Sequence, residues 1–163
     1  MYSSNTNAPL LRIANAILTG HMWKDNESES DLIHVAAMRS LRILLVDDDP
    51  SIREHLSDFL NRVDGHTVET AVDGMDGLQC FNGGSWDLVL VDRAMPRMNG
   101  FELAGAIKER APHTPVIMIS GVPGLAARGQ ELEVSVDAFL PKPFTSEELS
   151  EAIESAARKC SGT

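Results

Sequence analysis

Three mostly apolar runs stand out along the chain, at residues 41–46 (LRILLV), 86–91 (WDLVLV) and 115–120 (PVIMIS). Short runs of this kind are typical of strands that are covered on both faces of a sheet. Two further segments, 66–71 and 137–140, are predicted to be strands as well. The first of them alternates apolar and polar residues, which indicates a strand nearer the edge of the sheet. The chain is therefore predicted to contain five strands.

Apolar residues at helical spacing lie between these strands. They predict helices at residues 52–63, 73–81, 101–110 and 146–159. A further helix, the fourth in chain order, is expected within 121–133, where Pro123, Gly124 and Gly129 oppose it. Each interior glycine costs a helix about 1 kcal/mol relative to alanine. This fourth helix is therefore predicted to be short or mobile.

Strands and helices thus alternate from residue 41 to residue 159. Alternation of this kind predicts an α/β domain with a parallel sheet, helices on both faces and right-handed crossovers. In such sheets, ligands bind beyond the carboxyl ends of the strands. The residues directly after each predicted strand are therefore the candidates for a functional site.

The first 39 residues have a different texture. Apolar residues recur at helical spacing between Leu10 and Leu18, and an acidic link (DNESESD) occupies 25–31. We predict an N-terminal extension over residues 1–39 that is partly helical or disordered, a folded domain over 40–160 and a tail over 161–163. A docking or dimerisation arm is the alternative interpretation of the extension.

The composition and charge of the chain disfavour several classes of binding partner. The chain has 163 residues, 43% of them hydrophobic, which is enough for one domain with a core. A formal net charge of −10 disfavours binding to nucleic acids and anionic membranes, which would repel it. Cys80 and Cys160 have no metal-binding spacing, and no apolar run approaches the roughly 20 residues of a membrane span. We therefore expect a cytoplasmic protein without direct nucleic-acid or membrane partners.

Polar side chains follow four of the predicted strands. They are Asp47, Asp48 and Asp49 after the first strand, Asp92 after the third, Ser120 at the end of the fourth and Lys142 after the fifth. Clustered carboxylates without a nearby histidine or cysteine favour Mg²⁺. An ammonium and a hydroxyl would add donors for a phosphoryl group, and Asp92 is the natural nucleophile. This set predicts phosphoryl-transfer chemistry that depends on Mg²⁺.

Four motifs coincide with these strand ends. They are VDDDP (46–50), VDRAMPRMNG (91–100), MISG (118–121) and FLPKPF (139–144). In this order and spacing, the chain from residue 41 to about residue 159 resembles the response-regulator receiver domains of bacterial two-component signalling, the CheY-like superfamily. The resemblance implies a flavodoxin-like, doubly wound fold, with five parallel strands in the order 2-1-3-4-5 and five helices.

The resemblance also implies roles at the site. Asp92 would be the phosphoacceptor and one of the metal ligands. Asp48 would bind Mg²⁺ directly, Asp47 would act largely through water, and the backbone carbonyl of Ala94 would complete the protein ligands. Lys142 would pair with the phosphate.

A switch is implied as well. The hydroxyl of Ser120 would move to the phosphoryl oxygen, and the ring of Phe139 would turn inward on activation. The bond between Lys142 and Pro143 is expected to be cis, an isomer that is common only before proline. The positions that tune hydrolysis of the phosphoryl group in this family carry Ala94 and Val122, which are apolar, so self-dephosphorylation is expected to be slow.

The expected function is that of a phosphoacceptor switch, not an enzyme. A histidine kinase or phosphotransfer protein would phosphorylate Asp92. The receiver would stand alone and act on a downstream protein through the face formed by the fourth helix, the fifth strand and the fifth helix. That face, or the N-terminal arm, could also form a homodimer. The alternatives are a phosphorelay intermediate, an interaction module that works without phosphorylation, and an Mg²⁺-dependent phosphohydrolase of the dehalogenase type.

Overall fold

A parallel five-stranded sheet forms the centre of the protein in the computed structural model, which describes residues 40–121 and 136–160. The strands are β1 (Arg42–Val46), β2 (Thr67–Ala71), β3 (Leu88–Asp92), β4 (Val116–Ser120) and β5 (Ala138–Pro141). Their order is β2-β1-β3-β4-β5, and every neighbouring pair is parallel. The predicted sheet and its strand order are confirmed.

Four helices belong to the described part of the chain. They are α1 (Pro50–Arg62), α2 (Gly74–Gly83), α3 (Gly100–Arg110) and α4 (Ser146–Cys160). Their bounds, like those of the strands, differ from the predicted ones by at most two residues. The helix predicted within 121–133 lies outside the described residues, as do the N-terminal extension and the tail. No helix among residues 40–121 and 136–160 is long and apolar enough to cross a membrane.

The sheet buries both of its faces, so the protein has two cores. Successive side chains of a strand point to opposite faces. In β1, Ile43 and Leu45 belong to a core that includes residues of α1 and α4, whereas Leu44 and Val46 belong to a core that includes residues of α2 and α3. These four side chains of β1 are all fully buried. This arrangement explains why the central strands read as continuous apolar runs.

Helix α1 begins directly after the acidic run that ends β1. The carboxylate of Asp49 accepts hydrogen bonds from the backbone N–H groups of Ser51 (2.8 Å) and Ile52 (3.3 Å). Pro50 occupies the first helical position, where its missing N–H costs nothing. Asp49 is thus the cap of α1, and only Asp47 and Asp48 of this run remain for the carboxyl edge of the sheet.

A close backbone approach joins the end of β3 to the start of α3. The Cα of Gly100 lies so near the strand that a Cβ added there would stand 2.5 Å from the carbonyl oxygen of Asp92. The backbone N–H of Gly100 also donates to the carbonyl of Arg93 at 2.9 Å. Because Gly100 has no side chain, the start of α3 can lie directly against Asp92, the candidate acceptor residue.

We expect Gly100→Ala to lower the free energy of unfolding by about 1–3 kcal/mol, the usual cost of forcing a group into a packed site. The matched control is Gly105→Ala in the same helix, where an added Cβ meets nothing within 4 Å. That substitution should instead stabilise the protein by about 0.5–1 kcal/mol. Urea denaturation of the three proteins measures both effects. Equal stability of the two variants would contradict this account of Gly100.

Candidate functional site

The ammonium of Lys142 lies between two carboxylates at the carboxyl edge of the sheet. Its Nζ is 2.6 Å from Oδ1 of Asp92 and 3.6 Å from Oδ2 of Asp47. Asp47 directly follows β1, Asp92 is the last residue of β3, and Lys142 directly follows β5. Parallel strands β1, β3, β4 and β5 are neighbours in that order, so their carboxyl ends meet at one edge. The structure thus brings together three of the residues that the sequence selected.

Asp92 has both carboxylate oxygens engaged. Oδ1 accepts a hydrogen bond from Lys142, and Oδ2 accepts one from the backbone N–H of Ala94 at 2.8 Å. The residue is buried, with 7% of its surface exposed. A charge-assisted hydrogen bond in a poorly solvated position is stronger than the same bond in water. The carboxylate of Asp92 is therefore held in a fixed orientation at the edge of the sheet.

Asp47 is even more deeply buried, at 1% exposed. Its Oδ1 accepts a hydrogen bond from the backbone N–H of Asp49 at 2.9 Å. Its Oδ2 is buried and has no hydrogen-bond partner among the described residues, because Lys142 stands beyond hydrogen-bonding distance. Burial raises the pKa of Asp47 above its usual value of 3.8, and the nearby charges of Asp92 and Asp48 add to this. The hydrogen bond from Asp49 and the charge of Lys142 oppose the rise without cancelling it.

The pKa of Lys142 is also displaced, by two opposing causes. Burial acts to lower it, since a desolvated ammonium is less stable. The hydrogen bond from Lys142 to Asp92 and the negative charges of Asp92 and Asp47 outweigh this, and the pKa lies above its usual value of 10.5. The side chain of Lys142 therefore carries its positive charge throughout the neutral range.

The donor set suits a hard divalent cation. Oδ2 of Asp47 is a buried acceptor to which no described residue donates a hydrogen bond, and the next residue, Asp48, is exposed. No three acidic, histidine or cysteine side chains converge on one point within residues 40–121 and 136–160. An ion here would thus bind few side chains and would keep several waters, as Mg²⁺ does in proteins. The residues present fit Mg²⁺ on this ground.

The two predicted switch residues lie on neighbouring strands. Ser120 is the last residue of β4 and is buried, at 4% exposed, and its carbonyl accepts a hydrogen bond from the backbone N–H of Lys142 at 2.8 Å. Phe139 on β5 is half-buried, and its ring lies 6.4 Å from that of Phe101, tilted by 58°. The peptide bond between Lys142 and Pro143 is cis, as the resemblance implied.

The structure also joins two residues to which the sequence analysis gave no role. The guanidinium of Arg97 forms an ion pair with the carboxylate of Asp73, which is buried at the start of α2. Asp73 shortly follows the end of β2, so it too lies toward the carboxyl edge of the sheet. The second helix was predicted to begin at Asp73, whereas Asp73 is the cap that precedes this helix, and its position before Gly74 is the local signal for that role.

Comparisons with known proteins agree with this geometry. A sequence model described as the response regulator receiver domain matches residues 43–154. The response regulator MprA of Mycobacterium ulcerans is 36% identical over 110 residues, which are 68% of this chain and 47% of that protein. The uncharacterized transcriptional regulatory protein YcbL of Bacillus subtilis is 35% identical over 116 residues, which are 71% of this chain and 50% of that protein. The chain thus spans about half the length of these curated relatives.

A solved structure gives the same result. The response regulator protein TrrA of Thermotoga maritima, in complex with Mg²⁺ and BeF, is 33% identical and superposes with a TM-score of 0.64. The match covers 71% of this chain and 97% of that one.

The buried charge of Asp47 is expected to destabilise the metal-free protein. We expect Asp47→Asn to raise the free energy of unfolding near neutral pH by about 1 kcal/mol, because it removes a buried charge and keeps the acceptor for the N–H of Asp49. The pKa of Asp47 is raised on folding, so the gain should shrink as the pH falls through that raised pKa and vanish near the usual value of 3.8.

Urea denaturation in a chelator, repeated from about pH 4 to pH 8, measures this difference. Asp48→Asn is the matched control, since Asp48 is exposed and its substitution should change stability by less than about 0.5 kcal/mol. An Asp47→Asn protein that is less stable than the wild type at neutral pH would contradict the explanation.

Proposed function

Since this chain belongs to the response-regulator receiver family, whose domains are phosphoacceptor switches and not classical enzymes, we propose that Asp92 is its phosphoacceptor and that its phosphorylation depends on Mg²⁺. The observation that carries the proposal is the 2.6 Å contact between Lys142 and Asp92 in a buried, otherwise acidic site. A histidine kinase or a phosphotransfer protein is the proposed donor.

The reaction transfers a phosphoryl group between two side chains. A carboxylate oxygen of Asp92 attacks the phosphorus, a P–O bond forms, and the P–N bond to the donor histidine breaks. The imidazole nitrogen leaves with the electron pair of that bond. The product on this chain is an acyl phosphate, and no oxidant, reductant or further reactant is needed.

Residues of this chain would orient the acceptor and balance the transferred charge. The N–H of Ala94 holds one oxygen of Asp92, and Lys142 supplies a positive charge for the phosphoryl oxygens. Asp48, Asp92 and the carbonyl of Ala94 would hold Mg²⁺ directly, and Asp47 would act largely through water. When bound, the ion supplies positive charge beside the phosphoryl group and relieves the repulsion among these carboxylates.

Phosphorylation would then act as a switch through β4 and β5. The added group carries a charge of about −1.5 to −2, which Lys142 and the hydroxyl of Ser120 would meet. Ser120 ends β4 and Lys142 follows β5, and the two backbones are hydrogen-bonded to each other. A movement of either residue would therefore reach Phe139 on β5. We propose that the resulting change alters the face that includes β5 and α4, where a downstream protein would bind.

The proposed binding of a downstream protein concerns the receiver domain only. The two curated relatives, YcbL and MprA, are each about twice as long as their match to this chain, and YcbL is described as a transcriptional regulatory protein. The expectation of no direct nucleic-acid contact is therefore kept for residues 40–160 only. Membership of the receiver family argues against the alternative of a dehalogenase-type phosphohydrolase. The contacts of Lys142 with Asp47 and Asp92 favour a switch that is phosphorylated over an interaction module that works without phosphorylation.

Acetyl phosphate and Mg²⁺ should add one phosphoryl group to the wild-type protein and none to Asp92→Asn, because the amide is not a nucleophile. Intact-mass spectrometry measures the adduct. The matched control is Asp49→Asn, since asparagine also caps helices and Asp49 touches neither Asp92 nor Lys142 in the structure. This control should be labelled like the wild type.

Lys142→Met should slow the labelling by about 100-fold, the usual cost of removing one group that stabilises the transferred charge. Lys159→Met, which removes an exposed charge in the last turn of α4, should leave the rate unchanged. Equal labelling of the wild type and Asp92→Asn would sink the proposal.

A further inference from the structure

The loop of residues 93–99 carries the N–H that orients the acceptor. One hydrogen bond joins its start to Asp92 of β3, and a second joins the residue after its end to its own first residue, Arg93. At its start, the N–H of Ala94 donates to Oδ2 of Asp92 at 2.8 Å. At its close, the N–H of Gly100 donates to the carbonyl of Arg93 at 2.9 Å. The orientation of Ala94 therefore depends on the shape that the rest of this loop adopts.

A third attachment lies in the middle of the loop, at Arg97. Its guanidinium pairs with Oδ2 of Asp73, a residue that is only 3% exposed. The other oxygen of Asp73 accepts hydrogen bonds from the backbone N–H groups of Met75 (2.9 Å) and Asp76 (3.0 Å), which begin α2. One carboxylate thus caps α2 and holds the loop at the same time.

The next residue of the loop packs against the next residue of α2. A Cβ added to Gly74 would stand 2.4 Å from the carbonyl oxygen of Met98 and 2.7 Å from its Cβ. Consecutive residues of the loop, Arg97 and Met98, therefore meet consecutive residues at the start of α2, Asp73 and Gly74. The contact fixes both the position and the direction of the loop.

The backbone of Arg97 is strained at this contact. Its φ is 67°, in the left-handed region that favours glycine, and it is the only non-glycine residue with a positive φ within residues 40–121 and 136–160. Such a conformation persists only where the surroundings impose it, and it is concentrated at functional sites. Here the ion pair and the packing of Met98 are the contacts that impose it.

We propose that Arg97 is a positioning residue of the acceptor loop: through its ion pair with Asp73, it anchors residues 93–99 on α2, so that the backbone of Ala94 stays aligned with Asp92. The inference rests on the proposed function of Asp92. Arg97 itself touches neither Asp92 nor Lys142 in the structure and acts only through the loop.

Two substitutions separate the ion pair from the other contacts of these residues. Asp73→Asn keeps an oxygen to cap α2, since asparagine is as good a cap as aspartate, but it removes the charge that Arg97 binds. Arg97→Met removes the guanidinium and keeps the apolar part of the side chain. Arg97→Gly also removes the guanidinium but relieves the strained backbone, so a folded protein is available whatever the cost of Arg97→Met. Arg62→Met is the control, because it breaks an exposed pair with Asp58 within α1.

Two measurements report on the loop. The first is the rate at which acetyl phosphate and Mg²⁺ label Asp92, which should fall about tenfold in Asp73→Asn, Arg97→Met and Arg97→Gly. The second is hydrogen exchange at the amide of Ala94 in the metal-free protein, followed by NMR, which should accelerate in the same three variants. The double variant Asp73→Asn/Arg97→Met should be no slower in labelling than the slower single variant, because both remove one interaction. Arg62→Met should change neither quantity.

The inference is overturned if the three variants label at the wild-type rate with unchanged exchange at Ala94. It is overturned too if the effects of Asp73→Asn and Arg97→Met multiply in the double variant, since the two residues would then act separately. Failure of the proposed function looks different: the wild type itself would gain no phosphoryl group. In that case, exchange at Ala94 still decides whether Arg97 positions the loop.

Discussion

The contact between Lys142 and two buried carboxylates is the interaction on which the rest of the site depends. Asp92 and Asp47 are both almost fully buried, and the charge of Asp92 helps to raise the pKa of Asp47. A buried charge without a partner is strongly destabilising. Lys142 reaches both carboxylates from the end of β5, so the sheet brings the compensating charge from a strand far along the chain. The strand order β2-β1-β3-β4-β5 is thus a requirement of the charge balance as well as of the two cores.

The compensation is incomplete, and this is consistent with a site built for ligands. Oδ2 of Asp47 accepts no hydrogen bond from the described residues, and its pKa is raised in spite of the nearby ammonium. In the loop after Asp92, the backbone of Arg97 adopts the left-handed conformation. A sequence selected for stability alone would avoid both features, whereas proteins accept such features where function needs them. A cation and a phosphoryl group would each engage the groups that folding leaves unsatisfied.

Much of this could be predicted because local patterns determine it. The apolar runs of β1, β3 and β4 mark strands buried on both faces, and the alternation with helices then brings Asp47, Asp92 and Lys142 to one edge. The cap formed by Asp49 follows from its position before Pro50. The bounds of strands and helices shift by a residue or two, as for β3, which includes Asp92 itself.

The ion pairs between segments far apart in the sequence could not be predicted in this way. Arg97 and Asp73 are 24 positions apart, and Lys108 and Asp137, which pair at 2.7 Å, are further apart still. Nothing in the sequence near either member identifies its partner, because an arginine or lysine fits many environments. Such pairs emerge only when α2, α3 and β5 are placed in space. The capping role of Asp73 has a local signal in Gly74, whereas the residue that binds its second oxygen has none.

The strand-end cluster is proposed to make Asp92 the acceptor of a phosphoryl group. Borohydride reduces an acyl phosphate to an alcohol and leaves free carboxylates intact, so it marks the modified aspartate as homoserine. Protein phosphorylated by acetyl phosphate in Mg²⁺, then reduced and digested, should yield homoserine at position 92 alone. Homoserine at Asp47, Asp48 or another aspartate, with unmodified Asp92, would contradict the account.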